Sequence, residues 1–263
     1  MQTAKPFVVC FSGLDPTGGA GIQADIETLH ALGCHALPIV SSLTVQTTRN
    51  VLETRPSDPG LVRRQFDALI DSELDIAAIK LGLIDSPHVM RCISEIIRLC
   101  PTIPVVADPV LTAGGGFEFG GDSLVQLYRE LILPYCRVLT PNIPELKKLS
   151  PQTGSEYEAL QALCATGCEY ILLTGAHRDS EQVTNRLYSS ISPAIDHQWQ
   201  WPRLAGEYHG SGCTLASAMA AGLAAGMSYT TAAERAQQFT WQALKNALKT
   251  GNGQYLPDRR NHL

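Results

Sequence analysis

The sequence predicts a three-layer α/β/α sandwich built on a mostly parallel central sheet, and three observations carry that prediction. Short, predominantly apolar runs, such as FVVCFS at 7–12 and IAAIKL at 76–81, alternate with longer segments of helical period. Runs without a polar face belong to strands covered on both sides, as in a parallel sheet between two helical layers. Nearly every polar or glycine-rich cluster stands directly after one of these runs, and sheets of this kind bind ligands beyond the carboxyl ends of their strands.

Residues 7–12 read as a buried strand that leads through a glycine-rich turn into a helix over 20–32. Residues 36–43 form the second strand. Helical period returns over 59–72, with Leu61, Val62, Phe66, Leu69 and Ile70 on one face. A strand at 76–81 and a helix over 87–99 follow, the helix stopped by Pro101. The strand at 105–107 ends in Asp108-Pro109, a helix covers 122–133, and the strand at 137–139 ends in Thr140-Pro141-Asn142. Helix 156–166 precedes a strand at 170–173 that ends in Thr174-Gly175. Residues 183–189 and 199–204 read as a more polar antiparallel pair, and two helices, 212–225 and 230–248, complete the pattern. No repeat, low-complexity tract or linker interrupts it, so residues 1–263 are expected to form one domain.

Apolar residues make up 44% of the chain, enough for a continuous core. A net charge of -5 without a Lys/Arg run points away from nucleic acid as a partner. It leaves phosphorylated ligands open, because backbone amides at a helix start bind phosphate even in an acidic protein. The apolar run at 7–10 is too short for a signal-peptide core, and the Ala- and Gly-rich stretch 215–227 is too short to span a bilayer. A soluble cytoplasmic protein with no membrane partner is therefore expected. The eight cysteines are scattered without a CxxC pair and read as small buried hydrophobes, Cys213 excepted because of its neighbours.

Two clusters stand out. The first runs from Gly13 through Pro16-Thr17-Gly18-Gly19-Ala20-Gly21 to Asp25, a tight loop opening a helix. It lacks the Gly-Lys-Ser/Thr of a Walker loop and does not fit GxGxxG. The second, His209-Gly210-Ser211-Gly212-Cys213-Thr214, stands directly before an Ala-rich helix. Small residues there let a ligand approach the backbone, and the uncommitted N–H groups with the helix dipole make an anion hole suited to a transferring phosphoryl group.

With SSLTVQTTRNV, IKLGLI, VVADPVLTAGGG, LTPNIPEL and LLTGAH between them, these clusters occur in one order along essentially the whole chain. In that order they resemble the hydroxymethylpyrimidine/phosphomethylpyrimidine kinases, a thiamine-biosynthetic branch of the ribokinase-like enzymes. The resemblance implies ATP-dependent phosphorylation of a hydroxymethylpyrimidine and of its monophosphate, with Mg2+ as cofactor and a homodimeric assembly. It implies that Asp25 and Gln46 recognise the pyrimidine, a carboxylate and an amide being suited to an exocyclic amino group and a ring nitrogen. Gly13 and Ala20 would line the same pocket, with Leu83 and Val110 as apolar walls.

The resemblance also assigns Asn142-x-x-Glu145 to the metal and the nucleotide phosphates, with Asp108 acting through a bound water and Thr174 and Gly175 near the nucleotide. Gly210, Ser211 and Gly212 would form the anion hole. Cys213 stands where most ribokinase-like enzymes carry an aspartate base, and a helix N-terminus is expected to lower a thiol's pKa. Two departures stand out. Thr174 occupies a position where many members of the family carry lysine, which leaves phosphate neutralisation to the metal and the amides unless Arg178 or Lys80 substitutes. Gly114-Gly115-Gly116 extends the segment after Asp108-Pro109 and reads as a flexible loop.

Three alternatives stay open at this stage. One is a pyridoxal kinase, whose substrate also bears a hydroxymethyl group. A second is a cysteine hydrolase with Cys213 as nucleophile and His177 or His209 as its partner. The third is a non-catalytic pyrimidine sensor on a degenerate kinase scaffold.

Overall fold

The computed structural model describes residues 5–150, 154–178, 180–191 and 195–260; residues 1–4, on which part of the amino-terminal reading falls, lie outside them. A nine-stranded sheet is ordered β3-β2-β1-β4-β5-β6-β7-β8-β9. Its centre consists of β2 (His35–Gln46), β1 (Phe7–Leu14), β4 (Ile76–Leu81), β5 (Val105–Ala107), β6 (Val138–Leu139) and β7 (Tyr170–Leu173), all mutually parallel. Antiparallel strands finish both edges: β3 (Val51–Pro56) beside β2, and β8 (Gln182–Ser189) with β9 (Ile195–Pro202) beyond β7.

The apolar strands divide their side chains between two cores, because successive residues point to opposite faces. Val9, Phe11, Ile79 and Leu81 pack with α2 (Pro59–Asp71), α3 (Pro87–Leu99), α4 (Gly121–Leu131), α5 (Ile143–Leu149) and α6 (Glu156–Cys164). Val8, Cys10, Ala78 and Val106 face α1 (Gly21–Ala31), α7 (Ser211–Ala224) and α8 (Tyr229–Lys245). This is the expected three-layer sandwich. Among the described residues, no helix is long and apolar enough to cross a membrane.

Several elements differ from expectation. Strand β3 carries mostly exposed side chains, so it lacks the apolar run that announces a buried strand. Helix α5 has only seven residues, too few to establish a period. The glycine-rich extension at 114–116 is a hydrogen-bonded turn (Ala113 N–H to the Phe117 carbonyl, 2.8 Å), tethered by the Phe117 N–H to Asn50 Oδ1 at 3.3 Å. After α8, β10 (Leu248–Lys249) and β11 (Tyr255–Leu256) form a separate antiparallel pair that carries the chain back across the sheet's carboxyl edge.

Candidate active site

The strand order arranges the expected site residues in a row. Gln46 ends β2, Gly13 lies near the end of β1, Leu83 follows β4, Asp108 and Val110 follow β5, Asn142 and Glu145 follow β6, and Thr174 and Gly175 follow β7. The residues expected at the pyrimidine therefore occupy one half of the carboxyl edge and those expected at the nucleotide the other, with Asp108 at the junction. Leu83 and Val110 belong to a small third apolar cluster with Val51, Phe119, Ala113 and Phe117, separate from both main cores. Gly13 packs directly on Leu83, and a Cβ at that position would lie 2.9 Å from Leu83 Cδ2. Gln46 and Ala20 are half-buried at this end.

The turn before α7 closes the junction from above. Gly210 has φ +83, a left-handed conformation suited to glycine, and no side chain caps the helix start, which leaves its first amides for a ligand. Gly212 faces Asp108: a Cβ there would lie 3.5 Å from Asp108 Oδ1. The Cys213 thiol lies beside Asp108 and the Gly21 N–H, near enough for each to influence its ionisation.

Two expectations need correction. Asp25 does not present a carboxylate to a ligand. Its side chain is wholly buried and accepts from Lys80 Nζ at 2.7 Å, Ser217 Oγ at 2.7 Å and Ser12 Oγ at 2.5 Å. Three donors and no solvent access make it an interior anchor. Nor is the Cys213 thiol acidified. Burial pushes it up to about 12; the nearby Lys80 charge and the Gly21 N–H oppose the shift, while Asp108 and Asp25 add to it.

The Asn142-x-x-Glu145 element is a capping box. Asn142 Oδ1 accepts from the Glu145 N–H at 2.9 Å, and Glu145 Oε2 accepts from the Asn142 N–H at 2.9 Å. Glu145 Oε1 has no hydrogen-bond partner among the described residues. Burial raises the pKa of both Asp108 and Glu145 above the ordinary carboxylate range, and the charge of Asp108 raises Glu145 further. No group of three His, Cys, Asp or Glu forms a protein metal cage among the described residues. Two buried carboxylates with uncommitted oxygens nevertheless suit Mg2+, which takes one or two carboxylates and completes its shell with water and phosphate. Thr174 is bridged to Asn142, and the Gly175 N–H is fixed by Asn185 Oδ1 at 3.0 Å, so the β6 and β7 ends form one surface.

Residues to which the sequence assigned no site role support these loops. His209 Nε2 lies 2.8 Å from Asp15 Oδ2, which joins the turn before α7 to the loop before α1. Burial alone would raise the Asp15 carboxyl, but hydrogen bonds from His209 and Thr17 outweigh it and hold it down to about 2. Lys80, whose role the sequence left open, has the buried partner that a lone ammonium in an apolar strand needs. Burial opposes its charge, yet Asp25, with Cys213 and Asp108, holds it above the ordinary lysine value.

A doubly covered parallel sheet with an uncapped glycine-rich helix start facing two buried carboxylates defines a small-molecule phosphotransferase of ribokinase-like fold. The profile of the phosphomethylpyrimidine kinase family matches residues 15–258, and the chain belongs to that family. It is 32% identical over 250 residues to the hydroxymethylpyrimidine/phosphomethylpyrimidine kinase of Escherichia coli, covering 92% of each chain. The enzyme of the same name from Streptomyces coelicolor is 31% identical over 254 residues, 94% of this chain and 92% of that one. Among solved structures, an ADP complex of Bacillus subtilis pyridoxal kinase superposes with a TM-score of 0.87 at 25% identity, covering 97% and 98% of the two chains.

Proposed function

We propose that the protein transfers the γ-phosphoryl group of ATP to the hydroxymethyl oxygen of 4-amino-5-hydroxymethyl-2-methylpyrimidine. In a second turnover it acts on the monophosphate, giving the diphosphate used in thiamine diphosphate biosynthesis. The observation that carries this reading is the row of strand ends. A small apolar cluster around Leu83 and Val110 lies at the strand ends on one side of Asp108, and the Asn142/Thr174 surface lies on the other.

The substrate hydroxymethyl group sits at the Asp108–Cys213 contact, with Gln46 pairing to the ring in place of the enclosed Asp25. The resting thiol is protonated at neutral pH, so it acts together with Asp108. The thiol relays the proton in one concerted step: its own proton passes to the Asp108 carboxylate, whose raised pKa of about 6 lies near the operating pH, as the hydroxyl proton moves to the sulfur, so no free thiolate has to form. The oxygen lone pair forms the new O–P bond while the bond from the γ-phosphorus to the bridging oxygen breaks, and ADP leaves. Amides of Ser211 to Cys213 hold the transferring oxygens, consistent with a reaction that depends mainly on positioning and charge. Mg2+ would be held by Glu145, with Asp108 acting through a bound water, and would supply neutralisation of the phosphate charge.

ATP-coupled assays with hydroxymethylpyrimidine, its monophosphate and pyridoxal test the reading. The expected result is a kcat/KM for hydroxymethylpyrimidine at least about tenfold above that for pyridoxal, narrowed in Gln46→Ala through a higher pyrimidine KM. Preference for pyridoxal would assign the chain to the substrate of its structural neighbour.

A further inference from the structure

The segment after α8 reaches the site through one side chain. The Asp258 N–H donates to the Ala243 carbonyl at 3.0 Å, and Arg259 then turns inward with only 2% of its side chain accessible. Its Nε donates to Thr214 Oγ1 at 2.9 Å, Nη1 pairs with Glu27 Oε2 at 3.1 Å, and Nη2 donates to the Gly19 carbonyl. Thr214 Oγ1 donates in turn to the Gly210 carbonyl at 2.8 Å. One guanidinium thus holds the glycine-rich loop before α1 and, through Thr214, the turn before α7. A Cβ on Gly210 would lie 2.8 Å from Arg259 Nη2, so the cation is packed against the anion-hole turn itself.

The cations that could have replaced the lysine absent at Thr174 are committed elsewhere. Arg178 is exposed and paired with Glu156, and Lys80 is paired with Asp25. Among the described residues, Arg259 is the only Lys or Arg hydrogen-bonded to the 210–214 turn. Its planar fork is always charged and satisfies three acceptors on three different segments, a geometry an ammonium cannot copy.

We infer that Arg259 is a positioning residue for phosphoryl transfer: it locks the two glycine-rich turns in one register and holds a permanent positive charge behind their amides. This role rests on the phosphoryl-transfer reading of the site. Each Arg259 nitrogen donates to a protein acceptor and only 2% of the side chain is accessible, so it acts through the turns and not by touching the substrate.

Steady-state kinetics of Arg259→Met and Arg259→Lys, run well below each variant's melting transition, test the role. Calorimetric titration with ADP counts the binding-competent sites. In Arg259→Met, kcat per competent site should fall about 10- to 100-fold while KM for both substrates moves less than about threefold. Arg259→Lys keeps the charge without the fork and should lie between that variant and wild type. A kcat per competent site within about twofold of wild type in Arg259→Met overturns the role. So does a loss explained wholly by fewer ADP-binding sites. If the pyrimidine reading were wrong, wild type would fail with that substrate and turn over pyridoxal, and the same comparison on pyridoxal would still decide Arg259.

Discussion

Lys80 Nζ lies 2.7 Å from Asp25 Oδ1 with both side chains wholly buried, one turn of α7 beneath Cys213, where Ser217 joins the pair. Gly82 makes room for it, since a Cβ there would lie 2.7 Å from the ammonium. Removing one partner strands the other's charge in the interior. Lys80→Met or Asp25→Asn alone should therefore destabilise the fold by about 3–5 kcal/mol, whereas the double variant should recover most of the loss. Denaturant unfolding of the three variants measures this. A selective rise in pyrimidine KM in a well-folded Asp25→Asn would instead restore the ligand-binding role rejected above.

Cys213→Ser separates base from bystander. A serine hydroxyl passes its proton to Asp108 less readily than a thiol, so kcat should fall by about 10²–10⁴-fold. ATP binding should change little, because the anion-hole amides belong to the backbone. Stopped-flow turnover and nucleotide titration check both outcomes. A serine enzyme within a few-fold of wild type would leave the amides and Asp108 to carry the reaction.

Glu145→Gln preserves the capping geometry but removes a carboxyl that can ionise to hold the metal beside Asp108. The Mg2+ concentration for half-maximal rate should rise, while the melting temperature at neutral pH should stay nearly level, because the Glu145 carboxyl, raised to about 8, is already mostly neutral there without metal. An unchanged metal dependence with reduced activity would remove Glu145 from the metal's shell.

Asp15 determines behaviour in acid. Its carboxyl is held down to about 2 in the fold, so its stabilisation is fully present above the ordinary aspartate range and is lost as pH falls toward that value. The magnitude is about 2 kcal/mol, from roughly 1.4 kcal/mol for each pKa unit. Asp15→Asn should lower stability at neutral pH and flatten its acid dependence, as read from thermal melts across pH. A variant that keeps the wild-type acid slope would place that titration elsewhere.

Local periodicity determined the layers of this protein. Alternate residues of one apolar run, Val8 and Cys10 against Val9 and Phe11, supply two opposite cores, and that two-sided burial is visible in a window of a few residues. The row of site residues was legible for the same reason, since each polar cluster follows its own strand. Strand β3 and helix α5 escaped because one is mostly exposed and the other too short to show a period. Only the tertiary structure decided what the charged side chains do. Asp25 became an anchor by meeting Lys80, 55 residues away, and Arg259 reached Gly19 across 240 residues. The Cys213 thiol went up instead of down because enclosure beside Asp108 outweighed the helix N-terminus. Desolvation and charge pairing depend on which distant segments close over a group, whereas strand and helix patterns depend on neighbours along the chain.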